Sequence, residues 1–532
     1  MNAPCIKLDY STHGKGEYIK SNWGCVVFRK WKQHRLQRKI NQSTRPSTHS
    51  FEELLKTCRL SSDFEIYQLS KNSPITLYYY ASVIKPEILH DEILPALQQV
   101  NQLSLEELRQ AISIENNEII EAVEDLMDGL MRGSVIIHST QTPKQFLLVP
   151  AEHIENRSVS LPEVEFSVVG PKEAFVEPLQ TNLNLIRKRI PIPELVVKEY
   201  TIGDLSKSKT AILYLHGIAN EQVVHTLTQR ITDIQFDQIV DSSFVAQLIA
   251  DDSNSVFPQL IDTERPDRVA SLLAEGKVAV ILDGSPHALT GPTSFVEFFS
   301  AFEDYFLPWP IASIFRLIRL FAILFSVLST ALYVAVLTYH YEMIPTTLLN
   351  TLVSSRSGIP FPPVFEALIL ELVIELLREA GARLPAKIGQ TIGIVGGIVI
   401  GTAAVDAGLT SNILLIIVAL TGLASFTTPI YQMGNTIRLI RFPFILAAQW
   451  LGFLGVAACF ALFLSHLLAL TSLGHPYLVP IYPLRVADLK DSFFRLPFRL
   501  QTKRPQSIRA QKQNRFNKPN EKNHLIQPDI EE

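Results

Sequence analysis

From Pro308 to about Pro483 the chain is dominated by Leu, Ile, Val, Phe, Ala and Gly, whereas up to about Tyr305 it is charged and mixed. That division constrains the fold more than any motif, because a helix needs about 20 apolar residues to cross the hydrocarbon core of a bilayer. Four runs approach or exceed that length: Leu320 to Tyr339, Ile388 to Ala407, Ile413 to Pro429 and Phe444 to Leu470. An all-α polytopic membrane domain is expected over residues 306–483, with four or five helices.

Within it lies "RSGIPFPPVFEALILELVIELLREAGARLP", Arg356 to Pro385, a stretch too acidic for a simple span. Pro360, Pro362 and Pro363 precede an uninterrupted helical pattern over residues 364–380, and proline suits a first helical turn. At about 100° per residue, Glu371, Glu375, Glu379 and Arg378 share one third of the helix circumference. Ile369, Leu370, Val373, Leu376 and Leu377 cover the other side. Glu366 falls on that apolar side, near the positive end of the helix dipole, where a carboxylate is favoured. Two placements stay open: a helix lying in the membrane surface, or a re-entrant helix inserted among others with its carboxylates facing water. Irregular backbone at membrane depth survives only against protein or a water-filled cavity, which favours a cavity or pore. Glu366, Glu371, Glu375, Glu379 and Arg378 are therefore the candidates for lining or gating a path.

The second run carries Gly389, Gly393, Gly397 and Gly401 at every fourth position, a stripe that lets another backbone approach closely. Close packing within the chain, packing between subunits and lining of a narrow passage are all compatible with it. Gln390, Thr391, Thr402 and Asp406 place polar groups near its ends. The preference of basic residues for the cytoplasmic side does not yield a consistent topology. Arg378, Arg383 and Lys387 inside require the acidic helix to cross, and four spans with both ends inside leave Arg438 and Arg441 outside.

Before the apolar part, residues 1–50 lack apolar periodicity and read as a basic disordered tail; residues 484–532 read as a second basic tail. Between them lie two small α/β subdomains, residues 51–160 and 161–305. "FEELLKTCRL" reads as a helix, "PITLYYYASVI" as a strand and "KPEILHDEILPALQQV" as a helix. "KTAILYLHGIANEQVVHTLTQRI" has the same strand, turn and helix order, and laying the two together puts Leu77-Tyr78 on Leu213-Tyr214, a hint of duplication. In "ERPDRVASLLAEGKVAVILDGSP", Pro266 starts a helix, Gly276 ends it and "VAVIL" is a buried strand. "GPKEAFVEPLQTNLNLIRKRI", Gly170 to Ile190, reads as one helix whose basic end, Arg187, Lys188 and Arg189, complements the helix dipole.

The N-terminal stretch "MNAPCIKLDYSTHGKGEYIK" has no apolar core of a signal peptide, so the α/β part is expected to stay cytoplasmic. Cys5, Cys25, Cys58 and Cys459 are scattered, without ligand spacing, and no metal site, disulfide framework or cofactor is expected. There is no phosphate-binding loop, dinucleotide fingerprint or nucleophile elbow. "LHG" at Leu215 to Gly217 lacks a nucleophile, and His216, His225 and His287 stand alone, so no catalytic residue is assigned. A net charge of -4 and a basic cluster without interleaved aromatics speak against nucleic acid as a partner.

Seven stretches together carry a resemblance over roughly Phe51 to Pro497: "GPKEAFVEPLQTNLNLIRKRI", "FPQLIDTERPD", "LLAEGKVAVILDGSP", "YHYEMIP", "GIPFPPVFEALILELVIELLREAGARLP", "IGQTIGIVGGIVIGTAAVDAGL" and "HPYLVPIYPL". In these the chain resembles the A subunits of the GerA family of spore-germination receptors. The resemblance implies a nutrient receptor subunit in the inner membrane of a bacterial endospore, in contact with membrane lipid. It would act with a transporter-like B subunit and a lipoprotein C subunit, and assemble into a homo-oligomeric ring that opens as a nutrient-gated ion channel. The α/β subdomains would face the cytoplasm, and no enzymatic chemistry is implied. A non-conducting scaffold is the alternative; a secondary transporter fits less well, since inverted repeats are not apparent. The chain departs from the family at the ends of two strands, where Tyr80 and His216 stand in place of the usual acidic residue, and residues 1–50 have no counterpart.

Overall fold

The computed structural model describes residues 50–69, 73–99, 104–152, 165, 169–384, 397, 399 and 401–515. The basic stretch before residue 50, most of the run Ile388 to Ala407 with Gly389, Gly393, Gln390 and Thr391, and residues 516–532 lie outside the described residues.

Two five-stranded sheets carry the first half of the chain. The first contains β1 (Phe64–Gln68), β2 (Ile75–Tyr80), β3 (Glu118–Ile120), β4 (Ser134–Ser139) and β5 (Phe146–Pro150), in the order β1-β2-β4-β5-β3. Its helices are α1 (Phe51–Cys58), α2 (Leu94–Gln99), α3 (Leu105–Ala111) and α4 (Val123–Met131). The second contains β6 (Leu195–Ile202), β7 (Ser208–Leu215), β8 (Ile261–Thr263), β9 (Val278–Leu282) and β10 (Ala288–Gly291), in the order β6-β7-β9-β10-β8. Helices α5 (Leu179–Arg189), α6 (Glu221–Thr232), α7 (Ser242–Leu248) and α8 (Pro266–Glu275) accompany it. Every strand pair is antiparallel. Counted within each sheet the order is the same, and Leu77-Tyr78 and Leu213-Tyr214 both lie on the second strand. The hint of duplication in those two residues thus extends to the topology of both sheets.

Side chains alternate across a strand, and the second sheet uses both faces. Ile212, Val280 and Leu282 pack under α6 and α7, while Ala211, Leu213, Ala279 and Ile281 pack under α5 and α8. This is why "VAVIL" is apolar at every position and buried throughout. Helix α8 begins on Pro266 and stops at Gly276, whose φ of 102° is a left-handed conformation that glycine adopts without strain. The helix read over Gly170 to Ile190 is shorter than expected: it starts only after Pro178, whose extended backbone ends a segment without regular structure.

The second half is helical: α9 (Trp309–Tyr339), α10 (Thr346–Arg356), α11 (Pro363–Arg383), α12 (Asn412–Ser425), α13 (Tyr431–Leu451) and α14 (Phe453–Ala469), with further helical residues at 401–406. Among the described residues one helix, α9, is both long and apolar enough to cross a membrane. At its 31 residues it spans about 46 Å. The apolar stretch Phe444 to Leu470 is not one span as expected but part of a helical hairpin. Gly452 takes φ 57° and ψ -135°, a conformation essentially confined to glycine, and the chain reverses there. A Cβ on Gly455 would lie 1.9 Å from the Ala447 carbonyl oxygen, so the two arms meet backbone to backbone.

Polar contacts orient the bundle. The start of α9 is tied to the second sheet's domain by Arg316 and Arg319, which bind Asp304 at 3.0 and 3.2 Å. Thr436 near the start of α13 donates to the Val256 carbonyl at 2.6 Å, and the end of α14 contacts Ser255 through His466 at 2.9 Å. At the far end, Tyr339 donates to the Trp450 carbonyl at 2.9 Å and His340 stacks on Phe453 with centroids 4.6 Å apart. The hydrophobic core runs without a break from Phe257, Ile261 and Phe298 into Ala331, Leu414, Met433 and Phe444.

After α14 the chain returns to the α/β domain through a short hairpin, β11 (Thr471–Ser472) and β12 (His475–Pro476). Ser472 donates to the Gln259 carbonyl at 2.6 Å, and Tyr477 donates to that of Pro258, also at 2.6 Å. The stretch read as a basic tail is folded as far as Arg515. It forms α15 (Val486–Phe493), then lies against α8, with Arg504 donating to the Ala274 carbonyl at 2.8 Å and Arg515 pairing with Glu275 at 2.7 Å.

Candidate functional site

Helix α11 buries Glu366 and Glu371 together with Val364, Ala367 and Leu370, so Glu366 and Leu370, read on the apolar side, lie on the inner face with Glu371. Pro362 is extended (ψ 155°) and Pro363 opens the first turn, as the proline run predicts. The turn before it is closed by Arg356, which donates to the Phe361 carbonyl at 3.3 Å. A Cβ on Gly408 would sit 2.9 Å from the Gly358 carbonyl, so the chain leading to α12 crosses directly over the turn that carries Pro360. Phe365, Leu372 and Leu376 point outward and are 55%, 54% and 60% exposed, whereas Glu366 and Glu371 are buried. A soluble amphipathic helix has the opposite arrangement.

The carboxylates form a ladder of ion pairs. Glu366 accepts from Arg356 of α10 at 2.8 Å and from the backbone N–H of Ser411, at the start of α12, at 3.3 Å. Glu371 binds Arg441 of α13 at 2.9 Å, both side chains only 2% exposed, and accepts from Thr330 of α9 at 2.9 Å. Glu375 contacts Arg378 at 2.7 Å and Arg438 at 3.7 Å. Glu379 pairs with Arg383 one turn on at 2.6 Å and is largely exposed. Arg378 also reaches Asn435 at 3.4 Å, and Arg438 lies 5.8 Å from the Phe426 ring centre. The Nε and Nη2 atoms of Arg441 are buried without a hydrogen-bond partner among the described residues.

These contacts also give α11 its direction. Its first turn meets Ser411 at the start of α12, which itself bonds Tyr333 near the far end of α9, and its last turns meet Asn435 near the start of α13. It therefore runs the length of the bundle. Arg356, Thr330, Ser411, Arg438 and Arg441 escaped the sequence reading as site residues. Their signal was present as a spacing: two arginines three apart in an apolar stretch can face two glutamates four apart on a neighbouring helix. Arg438 and Arg441, placed outside the membrane by a four-span reading, are instead buried within the bundle. Of the glycine stripe, Gly397 and Gly401 are described. A Cβ on Gly397 would touch nothing within 4 Å, and one on Gly401 only Leu415, at 3.6 Å. Neither makes a close backbone approach among the described residues.

A second charged junction joins the two α/β domains. Arg187 of α5, read as a helix-end charge, turns inward. Its Nε and Nη2 bind the two oxygens of Asp63 at 2.7 Å each, with both side chains buried. Ser61 and Ser82 complete the carboxylate's shell, and the Arg187 guanidinium lies 4.1 Å from the ring centre of Tyr80. Burial alone would raise the Asp63 carboxyl, but Arg187 and the two serines outweigh it and hold it below its ordinary value. Burial pushes the Tyr80 hydroxyl and the Cys58 thiol up. Tyr80, one of the two departures at strand ends, thus serves as a platform for Arg187. His216 sits in the turn after β7, its backbone N–H bonded to the Glu194 carbonyl at 2.8 Å. His287 lies 3.3 Å from Asp262, which raises its pKa. Among the described residues no group of three His, Cys, Asp or Glu side chains is placed to hold a metal ion.

Comparison with known proteins identifies the family. The family described as Bacillus/Clostridium GerA spore germination protein matches residues 51–507. Spore germination protein GerQA of Bacillus cereus is 49% identical over 482 residues, covering 90% of this chain and 97% of that protein. GerIA of Bacillus cereus is 44% identical, covering 87% of this chain and 70% of that one. Spore germination protein KA of Bacillus subtilis is 36% identical, covering 85% and 83% respectively. Among solved structures, the N-terminal domain of the A subunit of the Bacillus megaterium spore germinant receptor GerK3 is 28% identical. That likeness covers 46% of this chain and 92% of that domain, with a TM-score of 0.35. The chain belongs to the GerA family of spore germination proteins.

Proposed function

We propose that this chain is the A subunit of a nutrient germinant receptor in the spore inner membrane, and that its helical half forms the wall of a gated ion path. It would work with a transporter-like B subunit and a lipoprotein C subunit, and its copies would form a ring. The family membership supports the receptor role, since the relatives are spore germination proteins. The observation that carries the membrane and gating part is α11, apolar outward and charged inward, because ionisable groups at membrane depth face a bundle interior or a water-filled cavity. Arg441 adds to this: its Nε and Nη2 are buried without a hydrogen-bond partner among the described residues, and unsatisfied donors are costly in a dry apolar core. Gly397, where a Cβ would meet nothing within 4 Å among the described residues, supports a contact face to a neighbouring copy.

The contacts support one topology. Helix α9 leaves the α/β domain and α14 returns to it, which supports an even number of crossings with both flanks on one side. Residues 484–515 carry nine lysines and arginines against two aspartates, which favours the cytoplasm for that side. Reconstitution of the full chain with its B and C subunits, followed by nutrient-triggered cation flux, tests the reading. The double variant Glu371→Leu/Arg441→Met, which strands neither charge, and the less buried Glu375→Gln are expected to alter the flux while the complex still assembles. An unchanged flux in both variants refutes a gating role for the ladder. A non-conducting scaffold is the second reading, favoured by the pairing of all four carboxylates with arginines of the same chain. It predicts no flux in any reconstitution.

A further inference from the structure

Residues 481–500 combine two features that rarely coincide on a surface in water. Tyr482, Leu484, Val486, Phe494, Phe498 and Leu500 are each between 52% and 67% exposed. Exposed apolar side chains concentrated in one short segment point to an interaction site. The segment is nevertheless held firmly on its inner side. Asp488 of α15 accepts the backbone N–H groups of Gln506 and Ser507 at 3.0 and 2.8 Å. Arg495 is buried, donates to the Tyr305 carbonyl at 3.1 Å and stacks 4.5 Å from the Phe498 ring centre. Ser313 in the first turns of α9 donates to the Arg495 carbonyl at 3.3 Å. The apolar side chains are thus presented by a fixed scaffold, next to Trp309 and Ile314 of α9, which are 49% and 57% exposed.

Charge decides what covers this patch. Arg499 and Lys503 are exposed beside it, and the stretch 484–515 is strongly basic. An apolar surface interleaved with cations fits the interfacial layer of an anionic bilayer, where aliphatic and aromatic side chains enter the headgroup boundary and arginines meet phosphates. We infer that residues 481–500 form an interfacial anchor lying in the surface of an anionic membrane, at the level where α9 enters it. The inference rests on the reading of the helical half as membrane-spanning. Because Asp488 and Arg495 fasten the anchor to Tyr305 and the residue 506–507 turn, it would set the height of the α/β domains above the bilayer.

The test places a polarity-sensitive fluorophore on the full chain through Phe498→Cys or, in a second variant, Leu484→Cys, each on a background without the native cysteines. The protein is reconstituted in phosphatidylcholine vesicles with and without phosphatidylglycerol. A label at Phe321→Cys, a position 70% exposed on α9, reports separately on the span. The expected result at 498 and 484 is a blue shift, loss of emission with lipids carrying a shallow quencher, and protection from aqueous iodide, all stronger with phosphatidylglycerol. The anchor is overturned if 498 and 484 are quenched by iodide. It is equally overturned if they are shielded from both quenchers, which would indicate a second copy or subunit on the patch. Quenching of 321 by deep-placed quenchers in those cases leaves the span standing; its failure removes the span itself.

Discussion

Removing one member of the Glu371–Arg441 pair should be far more damaging than removing both. Each side chain is 2% exposed, they meet at 2.9 Å, and Thr330 supplies Glu371 with one further hydrogen bond. Deleting one partner of a buried pair strands the other charge and costs about 3–5 kcal/mol, whereas replacing both by apolar groups of similar volume is often neutral or stabilising. The single variants Glu371→Leu and Arg441→Met are therefore each expected to lose about 3–5 kcal/mol, a factor of roughly 10² to 10³ or more in the folded ratio. The double variant should recover most of that loss. Titrating the full chain in mild detergent with dodecyl sulfate and following helicity by circular dichroism measures the three unfolding midpoints. A double variant whose loss equals the sum of the two single losses would refute the coupling. Combined with nutrient-triggered flux, the same set separates packing from gating, since a double variant that folds but no longer responds isolates the charge as the functional element.

Three further outcomes are expected. Asp63→Asn at the junction of the α/β domains should cost several kcal/mol, about 3–5 by the same argument, and Arg187→Lys should not spare it, because an ammonium cannot reproduce the two-pronged contact; thermal melts read both. Gly455→Ala should prevent stable accumulation of the protein in the membrane, since its Cβ would overlap the Ala447 carbonyl, and Gly452→Ala should cost about 1–3 kcal/mol of backbone strain; membrane levels and melts check this. The third concerns pH. His287 has a folded pKa raised above 6.5, first by its close contact with the Asp262 carboxylate, so its contribution is full below that ordinary value and fades as pH rises through the folded value. Burial alone would raise Asp251, but Thr471, Gly474 and Arg230 outweigh it and lower it. Its contribution is therefore present above 3.8 and is lost as pH falls through the folded value. Melts across pH should show the first dependence vanish in Asp262→Asn and the second weaken in Arg230→Met.

Local structure was legible wherever the pattern depends only on neighbours in the chain. The strand "VAVIL", the Pro266 start and Gly276 stop of α8, and the proline-led start of α11 follow from side-chain alternation, a fixed φ and a left-handed turn. The common strand order of the two sheets was not legible, because strand pairing is set by contacts between residues far apart in the chain. The hairpin at Gly452 was hidden for a related reason. Hydropathy registers apolar content but not chain reversal, and one glycine in an apolar run has no signature until another backbone lies against it.

The sequence by itself determined that about a third of the chain must bury or immerse an apolar surface, that α11 has one charged side, and that seven stretches belong together in one family. Tertiary structure alone decided what that charged side faces. Glu371 and Arg441 are 70 positions apart, and Asp63 and Arg187 are 124 apart. A charge in an apolar segment reads as an anomaly until its partner is known. The partner is chosen by packing, because burial makes an unpaired charge too costly to tolerate and selects the fold in which each finds its opposite.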